Sequence, residues 1–276
     1  MTNAIEKKLL LTLHDWPLKS LYSQFIHSLF TINNYLKTIT VFLGVAVVCL
    51  ATETIFADST FIVPGEFTLA EANSSDNAPL GAVSTQQIFQ QVFSPALLTD
   101  LSIGELITGI GFRVEGNESA LPAQTISEFD IGLGQSANAP GNLSATFADN
   151  LGSDFTTVRS GPLTINAGDF PGGSSPNNFG WISFQTPYVY QGGDLLVQIA
   201  YQGFSLGRDA DAAYPYDSSL AQTAFGSDYN STTADEGLYN EAIVMGFSVS
   251  PVPEPSAPVL FGVGASVFIL RRARND

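Results

Sequence analysis

Between Asp58 and Ser250 the chain has no lysine, no histidine and no cysteine. Its two histidines, His14 and His27, and its single cysteine, Cys49, all precede that stretch. Each absence removes a chemistry. Without cysteine there is no disulfide and no thiol nucleophile; without histidine there is no Ser-His-Asp triad and no histidine-ligated zinc; without lysine there is no Schiff base. Carboxylates, tyrosines and oxygen-ligated metals are what remains.

Positive charge is scarce as well. Residues 58–250 hold 21 Asp and Glu but only Arg113, Arg159 and Arg208, a formal charge of 3 − 21 = −18. Such a body repels phosphate backbones, so nucleic acid is not an expected partner. It also repels anionic headgroups, which leaves membrane contact to the ends of the chain. The acid surplus suits solubility in water, and divalent-cation bridging is the sharper reading of it.

What the chain does possess is concentrated at its two ends. Val252-Pro253-Glu254-Pro255-Ser256 is followed by an apolar run from Ala257 to Leu270 and then by Arg271-Arg272-Ala273-Arg274. As a helix that run would rise about 21 Å against a hydrocarbon core of about 30 Å, a short span that Pro258 interrupts. Arg271, Arg272 and Arg274 form a stop held on the cytoplasmic side, which fixes the residues before Ala257 on the other side. Pro253 and Pro255 keep the preceding stretch extended, a backbone that a processing enzyme can grip. At the other end, Lys37 precedes an apolar core from Thr38 to Ala51, with small residues at Ala51 and Ala57 as cleavage positions. A basic flank, a short apolar core and a small-residue exit describe a secretory signal peptide. Its n-region is unusually long, which places the expected true initiator nearer Lys37.

The tail resembles the PEP-CTERM sorting signal of Gram-negative bacteria, in which a Pro-Glu-Pro motif, a transmembrane segment and an arginine-rich end are recognised by a membrane-embedded exosortase. The resemblance covers residues 252 to 274. It implies an exosortase partner, a precursor held in the bacterial inner membrane through the C-terminal segment, and delivery to the cell envelope or the extracellular space, where exopolysaccharide is a candidate contact.

The body reads as strand and turn. Ile110, Phe112 and Val114 alternate with Gly111 and Arg113, and Phe129, Ile131 and Leu133 alternate with Asp130 and Gly132. Period two with β-branched and aromatic residues marks half-buried strands. Gln87 to Phe93, Phe155 to Val158, Trp181 to Phe184, Leu195 to Tyr201 and Ala242 to Val249 are further candidates, and Gly192-Gly193 reads as the turn of a hairpin from Tyr188 to Val197. The expected fold is all-β, an antiparallel β-sandwich or jelly-roll-like body flanked by an N-terminal signal helix and a C-terminal transmembrane helix. The strand order is similar to the sandwich bodies of many exosortase-targeted proteins. The divisions are a signal peptide with a long n-region over 1–57, a flexible lead-in over 58–84 with one edge strand from Ser59 to Val63, the sandwich over 85–250 and the sorting segment over 251–276.

Candidate sites are few. Asp209, Asp211 and Asp217, in what reads as a loop rich in Ala and Pro, supply hard oxygen ligands of the kind calcium takes, without EF-hand spacing. Tyr214, Tyr216 and Tyr229 offer apolar ring faces for stacking on sugars. The whole reads as a non-catalytic, exported surface or matrix protein, not an enzyme, with no cofactor other than calcium in view. The alternatives are a carbohydrate-binding module, calcium-assisted, acting on exopolysaccharide, and more remotely a glycosidase built on two carboxylates flanking a cleft.

Overall fold

Strands form where apolar side chains recur at every second position, because that spacing puts one face of an extended chain into a core. The structure, a computed structural model, describes residues 58–81 and 86–251. In chain order its strands are β1 (Ser59–Val63), β2 (Ser74–Asp76), β3 (Gln86–Phe93), β4 (Leu106–Phe112), β5 (Gln124–Ile126), β6 (Glu128–Gln135), β7 (Thr156–Arg159) and β8 (Leu163–Ile165). The series continues with β9 (Gly180–Val189), β10 (Leu195–Gln202), β11 (Ala210–Ala213), β12 (Ala221–Gly226), β13 (Gly237–Tyr239), β14 (Ala242–Ile243) and β15 (Met245–Ser250). Helix among the described residues is confined to short 3-10 turns at Gly65–Phe67, Pro95–Leu97 and Phe147–Asn150. No helix among the described residues is long and apolar enough to cross a membrane. The expected signal helix, the transmembrane helix and the sorting residues Val252, Pro253, Glu254, Pro255 and Ser256 lie outside the described residues.

The fold is all-β and antiparallel. One sheet has the order β1-β15-β4-β9 and a larger one β13-β12-β3-β10-β6-β7, with a three-stranded sheet β14-β11-β2 and the pair β5-β8 beside them. The two large sheets face each other in a sandwich-like arrangement. Phe93 of β3 meets Phe247 of β15 edge-on at 6.3 Å across the gap. Ile110, Phe112, Leu133, Leu195, Val197 and Ile199 join them in one buried cluster. Truncating such an aromatic costs about 3–5 kcal/mol, because the transfer free energy and the cavity left behind add.

The six-stranded sheet is buried on its second face too. Ile88 and Val92 of β3, Leu196 and Ala200 of β10 and Ala224 of β12 pack there against Leu143 and Phe147. That is why β3, central between β10 and β12, is covered along nearly its whole length. Its glutamines are paired accordingly. Gln90 Nε2 donates to Gln198 Oε1 at 2.8 Å and to Phe147 O at 3.0 Å. Gln91 Nε2 donates to Ile243 O at 3.1 Å while its Oε1 accepts from Ile243 N at 3.0 Å.

Three expectations are corrected. Gly192 and Gly193 do adopt the positive φ of a tight turn, 87° and 78°. The turn, however, is not a hairpin: β9 pairs with β4 in one sheet and β10 pairs with β3 and β6 in the other. Positive φ specifies a sharp reversal; it does not specify that the flanking strands pair. The lead-in is likewise part of the fold over its described residues. Ser59–Val63 pairs with Val249–Met245 as the edge strand expected, and beyond it β2 pairs with β11 while Ala78 and Leu80 enter the core. Finally, Ala210–Ala213 is a buried strand rather than a loop, since its small side chains fit between β2 and β14.

Candidate functional site

Past the end of β4 the chain stays extended, and Val114 forms an antiparallel bridge with Ala210. Glu115 N donates to Asp209 O at 2.9 Å and Asp211 N to Arg113 O at 3.1 Å. This register sets Arg113 opposite Asp211 and Glu115 opposite Asp209, while Val114 and Ala210 turn into the core. One alternation thus produces an apolar face and a charged face on the same short ladder.

Arg113 is 1% exposed and is among the largest fully buried side chains. Its Nε donates to Asp211 Oδ2 at 2.5 Å, its Nη2 donates to Ala70 O, and its guanidinium lies 5.3 Å from the Phe179 ring centroid. This is the one ion pair among the described residues. Asp211 Oδ1 accepts from Ala72 N at 3.0 Å. Burial pushes the Asp211 carboxyl up, while the guanidinium and the Ala72 amide pull it back. With a guanidinium in direct contact, Asp211 stands as a carboxylate.

The segment that supplies Ala70 and Ala72 also brings in Glu71. Glu71, Glu115 and Asp211 each offer an oxygen within 4.8 Å of the others, the one such trio among the described residues. Glu71 Oε2 accepts from Ser175 Oγ at 3.0 Å, but Glu71 Oε1 and Glu115 Oε2 are buried with no hydrogen-bond partner. Buried acceptors without partners are costly. Burial, and then the charges of Asp211, Glu71, Asp209 and Glu118, push the Glu115 carboxyl up to about 7. With all three ionised, as a bound cation would require, one guanidinium leaves two negative charges uncompensated. Oxygens bound to one calcium at about 2.3–2.6 Å lie within about 5 Å of one another, so this trio suits a hard divalent cation in spacing, ligand type and charge.

The expected metal residues are therefore divided by the fold. Asp211 is in the trio. Asp209 stands beside it, its Oδ2 accepting from Ser75 Oγ at 3.3 Å and its backbone N–H donating to Glu118 Oε2 at 3.2 Å. Asp217 is elsewhere, exposed, with Oδ1 accepting from both the amide and the hydroxyl of Ser219, which holds its carboxyl below its usual range. The tyrosines do not form one platform. Tyr214 is exposed beyond β11. Tyr216 packs against the inter-sheet core with its hydroxyl donating to Glu66 Oε1 at 2.8 Å. Tyr229 lies against the outer face of the six-stranded sheet and donates to Asp130 Oδ2 at 2.5 Å.

Compared with the models of known protein families and with curated proteins, the chain shows no significant match to either. The site thus stands on its own geometry. Arg113, Glu115 and Glu71 escaped the sequence reading because they come from two segments, each distant in sequence from Asp211. The usable signal was Asp209-Ala210-Asp211 read as strand alternation opposite Arg113-Val114-Glu115.

Proposed function

We propose that this is a non-catalytic exported protein of the cell surface or extracellular matrix, sorted by an exosortase through its Pro-Glu-Pro, apolar and arginine-rich tail. In this reading the sheets form a sandwich carried between a signal helix and a transmembrane helix. The observation that carries the proposal is the order and spacing of the three parts from Val252 to Arg274. Two properties of the body support it. It lacks Cys, His and Lys, and its three arginines are all engaged internally: Arg113 with Asp211, Arg159 with the carbonyls of Phe129, Gly161 and Pro162, and Arg208 with Ser119 and Gly207. The test is mass spectrometry of the C-terminus after expression with and without an exosortase. With the enzyme, the product should lose Arg271 to Arg274 and leave the membrane fraction, and Glu254→Ala should block this. An identical C-terminus in both hosts overturns the proposal.

A second reading, calcium-assisted carbohydrate binding, is favoured by the Glu71, Glu115 and Asp211 trio. Trp181 adds an aromatic surface on the outside of the four-stranded sheet. It is 40% exposed, and a Cβ on Gly111 or Gly246 would come within 2.8 or 2.6 Å of its ring. These two glycines let the indole lie against the sheet, beside the Phe179 ring at 6.0 Å, with part of its surface left exposed for the kind of stacking by which aromatic rings meet sugars. Retention on the producer's exopolysaccharide, lost with chelator and with Trp181→Ala, is the expected result. No retention under either condition rules it out.

A further inference from the structure

A second acidic site lies apart from the trio, in a cleft of about 370 Å³ between β2, β3 and β13. Its walls carry Asp76, Glu236 and Glu241, with Gln87, Phe225 and Tyr239 beside them, and no basic side chain. Glu241 is 4% exposed, and among the described residues the bond at this position goes to its backbone, from Thr223 Oγ1 to Glu241 O at 3.0 Å, with none to its carboxylate. The other two acids are only partly engaged. Asp76 Oδ1 accepts from Ala78 N at 2.8 Å, and Glu236 Oε2 accepts from Gln87 Nε2 at 2.9 Å. Gln87 in turn is held by Tyr201, whose hydroxyl donates to Gln87 Oε1 at 2.9 Å.

The cleft thus presents acceptors and negative charge, and the described residues have no free cation to send there. Arg113, Arg159 and Arg208 are spent on other partners, and residues 58–250 contain no lysine or histidine. A buried carboxylate without a partner is stabilised by a ligand that brings both a positive charge and N–H donors. A bare divalent ion fits less well. Asp76, Glu236 and Glu241 are not a trio with oxygens within 4.8 Å of one another, unlike Glu71, Glu115 and Asp211. The volume exceeds a single ion's needs, being about a dozen times the share of one water in the liquid. The rings of Phe225 and Tyr239, 5.6 Å apart in a T-shaped pair, supply π surface that attracts organic cations.

We propose that the cleft of Asp76, Glu236 and Glu241 binds a primary ammonium group carried on a compact organic body. Three N–H donors meet the carboxylates while the carbon skeleton lies along Phe225 and Tyr239. An amino sugar and a lysine side chain both present this chemistry. Electrostatics agree with the geometry. Burial, and then the charge of Asp76, push the Glu241 carboxyl up to about 8, and burial, opposed by the Ala78 amide and helped by Asp209 and Glu236, pushes Asp76 up to about 6. Asp76 on β2, Asp209 before β11, Tyr201 on β10, and Glu236 and Tyr239 around β13 are the titratable groups that face this region, and none is cationic. An ammonium in the cleft therefore draws a proton off Glu241 as it binds.

The test is calorimetric titration of the full chain in phosphate buffer at pH 7 with glucosamine, with lysine methyl ester and with N-acetylglucosamine as the uncharged control. Saturable binding of at least one amine, at least tenfold tighter than N-acetylglucosamine, is expected; which amine wins distinguishes the sugar from the peptide source. Glu241→Gln and Asp76→Asn should each weaken that amine at least tenfold while circular dichroism remains unchanged. Binding in lightly buffered solution should release protons from the wild type and not from Glu241→Gln. Equal binding of the amine and its acetylated control, binding without proton release, or no binding at all overturns the proposal.

Discussion

At the scale of single residues, the decisive feature is carboxyl groups drawn largely out of water by the fold. Glu241 is pushed up to about 8 from 4.5, and Asp76 to about 6 from 3.8, both chiefly by burial. In the unfolded chain these groups ionise at their ordinary values, so between roughly pH 4 and 8 the folded state holds more protons than the unfolded state. Stability must then fall as pH rises through that window, by at most about 1.4 kcal/mol per pH unit for each group. Asp217 and Asp235 act oppositely. Hydrogen bonds from Ser219 and Ser227 depress them, so their stabilisation is present above the ordinary Asp value and lost in stronger acid. The thermal midpoint is expected to peak near pH 5 and to decline toward pH 9. Glu241→Gln, which cannot ionise, should flatten the alkaline limb. A midpoint that rises steadily from pH 5 to 8 would contradict the burial of these acids. Arg113 tests the other buried charge. Arg113→Met leaves Asp211 and Ala70 O without their partner and should cost about 3–5 kcal/mol in urea unfolding, whereas the double variant Arg113→Met/Asp211→Leu should recover much of that loss. A single-variant cost below about 1 kcal/mol would mean the ion pair is solvated.

At the scale of elements, strands were legible and their partners were not. Alternation located β3, β4, β6, β9, β10 and β15, because burial of one face leaves a period-two signature in the residues themselves. Pairing leaves no such signature. The turn at Gly192-Gly193 was read correctly as sharp and incorrectly as a hairpin, since nothing between Tyr188 and Val197 records that the two strands belong to opposite sheets. The same gap hid the site. Asp211 could be nominated from sequence, but Glu71 and Glu115 join it only through the pairing of Arg113-Val114-Glu115 with Asp209-Ala210-Asp211 and the packing of a third segment. Buried glutamine on β3 was equally hard to foresee, because its partners, backbone and side chain alike, sit on segments distant in sequence. Gln91 accepts from Ile243 N and Thr223 Oγ1 and donates to Ile243 O, fastening β14 to the large sheet. Gln91→Leu orphans a buried amide and a buried carbonyl, so a loss of about 1–3 kcal/mol is expected for each, together with faster hydrogen exchange at Ile243. Unchanged exchange there would show that β14 is held by other means.

At the scale of the whole molecule, the charge distribution unites both acidic sites with the proposed setting outside the cell. Net charge of −18 over residues 58–250, with its three arginines engaged by the body's own groups, makes the folded body repel itself, and simple salt should stabilise it by screening. Calcium should do more than screen. A cation bound by Glu71, Glu115 and Asp211 stabilises only the folded state, by about 2.7 kcal/mol at a hundredfold excess over its dissociation constant. Comparing thermal midpoints in CaCl2 and NaCl at equal ionic strength isolates that term. The midpoint should be higher in calcium, magnesium should fall short because it demands a tighter octahedral shell, and Glu115→Gln should erase the difference. Because Glu115→Gln also removes a like charge beside Asp209, the variant should be at least as stable as the wild type when calcium is absent. That reversal separates a ligand from a residue needed only for folding. Identical midpoints in the two salts would leave the trio as a proton-sharing cluster, with the Glu115 carboxyl, pushed up to about 7, holding the proton at neutral pH.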